Sequence, residues 1–150
     1  MDDDVSFAAP RTSSERRAAD FAIFFRMGRI SKAVEHRLTD DLVRFGLTPG
    51  LFHLLVHIGR KEGQLQRDLA ELTGNTPANV SILLEKLVEA GLVIRTPAGR
   101  ANQLFLTPLG RSRYNEIVPM HERIMADRLS GLSPEERQQL RNLLRKLERS

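Results

Sequence analysis

The chain of 150 residues is 41% hydrophobic and 28% charged, with 23 Lys and Arg against 19 Asp and Glu for a net charge of +4. That length suits one domain with helical extensions, and the composition is that of a folded globular protein rather than a disordered one. The absence of cysteine excludes disulfides, thiolate zinc fingers, iron–sulfur centres and thiol redox switches. No stretch approaches the ~18 uninterrupted apolar residues of a membrane span. The opening Met1-Asp2-Asp3-Asp4 reverses the basic start of a signal peptide, so a cytoplasmic protein is expected. Of the 23 bases, 19 are Arg and only Lys32, Lys61, Lys86 and Lys146 are Lys. Arginine suits bidentate contacts to phosphate and guanine, although a high-GC genome also enriches it. The charge therefore permits nucleic-acid binding without showing it.

Residues 1–12 read as a frayed tail containing Pro10. From about Ser13 to Phe45 the pattern turns helical: Val34, Leu38, Leu42 and Phe45 recur at helical spacing, and Phe21, Phe24, Phe25 and Met27 extend the apolar surface backward. Two readings stand side by side, a core helix kinked near Gly28 and an oligomerisation helix. The second suits an apolar surface too wide for one small domain to cover.

One device then repeats. Thr48-Pro49, Thr76-Pro77, Thr107-Pro108 and Ser133-Pro134 each pair an N-cap hydroxyl with a proline at the first helical position. Ser133 with Glu136 completes a capping box, and Leu47 and Phe52 are spaced for a hydrophobic staple. Helices are predicted at about 48–60, 76–90, 108–129 and 133–149, with a shorter one at 66–73. Between them, Leu92–Arg95 and Gln103–Leu106 are β-prone runs flanking a turn at Thr96–Arg100, which predicts a hairpin with a basic tip.

The segment Gln66 to Glu85 reads as a helix-turn-helix. Ala70 is small where helices must approach, Gly74 permits the turn, and Val80 and Leu83 return apolar side chains to the first helix. The hairpin that follows Gly91 makes this a winged version. With Val80, Leu84 and Leu87 inward, the second helix presents Thr76, Ala78, Asn79, Ser81, Ile82 and Lys86 outward. Asn79 can pair with adenine, Ser81 can donate or accept, and Ala78 or Ile82 can touch a thymine methyl. Arg67 and Lys86 suit phosphates, and Arg100 at the wing tip can enter a narrow minor groove. With Arg95, these bases surround one helix and its wing. A protein-interaction module is the competing use of such a fold. An enzyme is not expected, since no nucleophile–base pair or phosphate-cradling glycine loop is present, and no cofactor is implied.

The run from Leu47-Thr48-Pro49 through Leu106-Thr107-Pro108-Leu109-Gly110 resembles the MarR family of bacterial winged-helix regulators. The marks are Leu69-Ala70, the stretch Leu87-Val88-Glu89-Ala90-Gly91-Leu92-Val93-Ile94-Arg95, and the closing Leu106-Thr107-Pro108-Leu109-Gly110. The resemblance implies a mainly helical fold with a small two-stranded β-wing. In it, 47–107 form the DNA-binding winged helix-turn-helix, and 13–46 with 108–150 form a helical dimerisation region. It further implies a homodimer on double-stranded DNA with an inverted-repeat operator, usually a repressor, often released by a small aromatic acid or phenol. Two features depart from the family pattern. Ala98 stands where an Asp usually precedes the wing arginine, and the wing is about three residues short.

His53 and His57 lie four apart on one predicted helix, a spacing that can hold two metal ligands. The acid of a zinc-protease motif is missing, because Leu54 follows His53. Three readings stay open: structural histidines, an effector pocket formed with Met27 and Ser31, and a metal-responsive site. Leu140, Leu143, Leu144 and Leu147 form a stripe on the last helix that suits dimerisation.

Overall fold

The computed structural model describes residues 12–150. The expected tail lies outside the described residues except for Thr12, which belongs to the first helix as its N-cap. The Thr12 hydroxyl accepts from the Glu15 amide, and the Glu15 carboxylate accepts from the Thr12 amide. Helix α1 (Ser13–Val43) is continuous through Gly28. Then follow α2 (Pro49–Arg60), α3 (Asp68–Thr73), α4 (Pro77–Glu89), β1 (Val93–Ala98), β2 (Ala101–Leu106), α5 (Pro108–Arg128) and α6 (Pro134–Glu148).

Each threonine or serine cap forms as the sequence predicts. Thr48, Thr76, Thr107 and Ser133 accept from the backbone N–H three residues on, with proline opening each helix. Proline costs nothing there because its missing N–H has no intrahelical partner to lose. Helix α3 ends at Gly74, whose φ of +65° takes the left-handed cap without a Cβ clash.

Helix α2 lies at the centre. Phe52, Leu54, Leu55 and Ile58 are almost wholly buried, and α1, α3, α4, α5 and β2 all pack against it. From α4 come Val80, Leu84 and Leu87; from the hairpin, Val93 and Leu104; from α5, Ile117. Truncating such a side chain to alanine typically costs about 2–5 kcal/mol, so this cluster holds the winged unit in one shape.

The hairpin differs from its expected form. Pairing runs without interruption from Val93↔Leu106 to Ala98↔Ala101, so Thr96, Pro97 and Ala98 belong to the ladder and the turn is only Gly99-Arg100. Gly99 has φ +63°, which a two-residue hairpin turn demands. Pro97 is tolerated because every strand of a two-stranded ladder is an edge. The loop before α3 adds to the other side of β2: Gly63 N–H donates to Leu104 O at 2.8 Å and Gln66 N–H to Asn102 O at 3.0 Å. The wing is thereby tied to the helix-turn-helix along most of its length.

The outer helices are different. Only Leu38 and Leu42 of α1 are buried, while Phe21 is 71% exposed, Phe24 66% and Phe25 58%. Helix α6 buries no residue, and Leu140, Leu143, Leu144 and Leu147 all reach solvent. Exposed apolar surface of this extent marks α1 and α6 as interaction faces.

Candidate nucleic-acid interface and effector cavity

Helix α4 stands with Val80, Leu84 and Leu87 inward and Thr76, Ala78, Asn79, Ser81, Ile82 and Lys86 exposed, the division the periodicity predicts. Two of these side chains are already oriented. Asn79 Nδ2 donates to Asn75 Oδ1 at 2.8 Å, and Ser81 Oγ accepts from Gln66 Nε2 at 3.3 Å. Ile82 is 57% exposed, an apolar side chain on a polar face.

The bases around this helix fall into different situations. Arg67 is exposed and 3.6 Å from Asp68, whereas Lys86 and Arg100 are exposed without an ion-pair partner among the described residues. Arg95 is not a free cation. Its Nη1 lies 2.9 Å from Glu85 Oε2 on α4, its side chain is largely covered, and its Nε is buried without a hydrogen-bond partner. It braces β1 against α4. Sequence spacing gave no sign of this pair, because Glu85 and Arg95 meet only once the helix folds back onto the strand.

A cavity of about 410 Å³ opens between α1, α2 and α5. Ile30, Val34, Leu38, Met125 and Leu129 make its apolar walls, and Ser31, Glu35, His53, His121 and Arg128 supply polar groups. Of the four expected pocket residues, Ser31 and His53 line it, whereas Met27 and His57 do not. Residues four apart on a helix share a face but stand a full turn apart along the axis. His57 accordingly sits toward the end of α2, where its carbonyl accepts from Gln64 Nε2 at 2.6 Å. The partner of His53 is instead His121 from α5, with ring centroids 6.4 Å apart. His121 also meets Phe52 edge-on at 4.8 Å. Its only sequence signal is its residue type. No group of three or more His, Asp or Glu able to hold a metal is gathered among the described residues, so His53 and His57 gain no third ligand.

Burial, then the neighbouring His53 and Arg60, lowers the His121 pKa, with Glu122 opposing. The His57 pKa is also lowered, by burial first and then by Arg60 and His53. As pH falls below about 6.5, the unfolded chain takes up these protons before the folded one, so the fold loses stability until the folded-state pKa is passed. His121→Gln is expected to shrink the drop in urea midpoint between pH 7.5 and 5.5. An unchanged drop would remove His121 as a contributor.

A capped helix with an exposed polar face, docked beside a hairpin with a basic tip, defines a winged helix-turn-helix. Residues 45–101 match the profile described as MarR family. The HTH-type transcriptional regulator BilQ of Clostridium symbiosum is 29% identical over 110 residues, covering 71% of this chain and 76% of the relative. The HTH-type transcriptional repressor MdtR of Bacillus subtilis is 27% identical over 118 residues, covering 76% of each. Among solved structures, the transcriptional regulator SlyA superposes with a TM-score of 0.79 at 24% identity, covering 85% of this chain and 92% of that one. The S. aureus MepR–DNA complex gives 0.75 at 25% identity, covering 85% and 93%. Over residues 45–101 the chain matches the MarR family, and its fold is the winged helix-turn-helix of solved MarR-family transcriptional regulators.

Proposed function

We propose that two copies of the chain pair through the exposed apolar faces of α1 and α6 and place their α4 helices in successive major grooves of an inverted-repeat operator. Residues 47–107 form the DNA-binding unit, and 13–46 with 108–150 form the dimerisation region. The protein acts in the cytoplasm at the nucleoid, as a repressor released by a small aromatic acid or phenol held in the cavity between α1, α2 and α5. The observation that carries the DNA-binding part is the outward row Thr76, Ala78, Asn79, Ser81 and Ile82, with Lys86 behind it, on a helix whose other face is locked into the core. Asn79 and Ser81 are suited to base edges, and Lys86 to phosphate. Relatives named as a repressor and as protein–DNA complexes support the reading. The apolar cavity with His53, His121 and Arg128 suits a flat ring carrying an acidic group.

Selection from a randomised duplex pool tests the proposal. It is expected to return an inverted repeat bound by two chains per duplex, with Asn79→Ala losing discrimination at one base pair per half-site. Addition of 4-hydroxybenzoate is expected to release the duplex from the wild type but not from His53→Ala. Failure to enrich any duplex at low salt overturns the DNA-binding reading. Enrichment without release by the acid overturns only the effector.

A further inference from the structure

The cavity between α1, α2 and α5 is mostly apolar, and the permanent charges in its wall cancel. Arg128 of α5 contributes one positive charge and Glu35 of α1 one negative. Ser31 is neutral, which leaves the rings of His53 and His121, 6.4 Å apart, as the groups able to change the balance. Glu35, His53 and Arg128 are exposed, so water screens their charges whatever fills the cavity, whereas His121 is partly buried. Its ring meets the buried Phe52 edge-on at 4.8 Å. The charged and titratable groups around it are His53 and Arg60 from α2, Glu35 from α1, and Glu122 and Arg128 from α5. Burial first, then His53 and Arg60, favour the neutral ring, and Glu122 opposes them.

An organic anion entering this space meets a wall with no net charge to balance it. Burying an ion without a counter-charge is unfavourable, and a titratable neighbour responds by changing its protonation. An anion beside the imidazole favours the charged ring and offsets the repulsion from His53 and Arg60. A protonated ring also donates from both nitrogens, where the neutral ring donates from one.

We propose that His121 takes up a proton as an anionic ligand occupies the cavity, so that anion and proton enter together as a neutral pair. The proton comes from solvent and adds to the free imidazole nitrogen; no bond of the ligand changes. By linkage, affinity for the anion rises as pH falls through the ligand-bound pKa of His121 and levels off below its ligand-free pKa. The cavity thus answers to an acid and to acidity together. This rests on the effector reading above.

Calorimetric titration of the full-length protein with 4-hydroxybenzoate, run in two buffers of different ionisation enthalpy, counts the protons exchanged. Uptake of about half a proton or more per chain is expected near pH 6.5 and close to none at about pH 8.5, with affinity several-fold tighter at the lower pH. The ligand's carboxyl is ionised throughout this range, so the proton is not its own. The neutral isostere 4-hydroxybenzamide is expected to carry in no proton. His121→Gln is expected to bind the acid more weakly and without uptake. In the wild type, the ring-proton NMR resonance of His121 is expected to titrate at higher pH with the ligand than without it, a readout that needs no variant. Uptake that persists in His121→Gln, or a His121 midpoint unmoved by bound ligand, overturns the proposal. Binding without proton uptake overturns it alone; if 4-hydroxybenzoate does not bind at any pH in the range, the effector reading falls, and this one with it.

Discussion

Replacing Gly110 by alanine is expected to destabilise the protein by about 3–5 kcal/mol, at or beyond the upper end for overpacking a tight interior. A Cβ on Gly110 would stand 1.9 Å from the Leu92 carbonyl oxygen and 2.9 Å from its carbon. Both are backbone atoms, so no rotamer change relieves the clash. The first turn of α5 would have to lift from the root of the wing, where Thr107 N–H donates to Leu92 O at 3.1 Å and the Thr107 hydroxyl donates to Gly91 O. Each weakened bond adds about 1 kcal/mol. Gly28→Ala is the natural counterpart. Gly28 lies inside α1 with nothing within 4 Å of the added methyl, so the change is expected to stabilise by up to about 1 kcal/mol. Urea unfolding of both variants checks the pair, and a cost below 1 kcal/mol for Gly110→Ala would show that the α5–wing junction yields.

The second large effect is on operator binding. If Arg67, Lys86 and Arg100 each meet a phosphate, a dimer neutralises about six charges, and log affinity falls with log salt at a slope near −5. Raising salt from about 50 to 200 mM then weakens binding roughly a thousand-fold, equivalent to about 4 kcal/mol. Fluorescence anisotropy across that range measures it. A loss of less than tenfold would mean that these bases do not sit on the backbone.

What could be read in advance was what local chemistry decides. A hydroxyl followed by proline caps a helix wherever it stands, and Thr48, Thr76, Thr107 and Ser133 all do so. Gly74 takes a positive φ because the turn between α3 and α4 requires it. The inward face of α4 follows from a 3.6-residue period. Features that depend on partners distant in sequence were not legible. Thr96, Pro97 and Ala98 have turn-like composition, yet they pair because β2 offers six consecutive partners and the two residues Gly99 and Arg100 suffice for the turn. His57 was grouped with His53 by spacing, while the real neighbour, His121, arrives from a helix more than sixty residues away in the chain. Arg95 looked like one more free base until Glu85 met it.

The close seat of Gly110 on Leu92 also bears on how a signal would travel. His121 of the cavity lies on the same helix, about 16 Å further along at 1.5 Å per residue. Gly110 brings the α5 backbone against the Leu92 backbone with no side chain between them to absorb motion, so the first turn of α5 and the wing root are held together. Under the function proposed above, a ligand that tilts α5 at the cavity end would turn the hairpin at the other and shift Arg100 relative to a bound duplex. Response and binding would then be geared together by a contact that contains no side chain from either site.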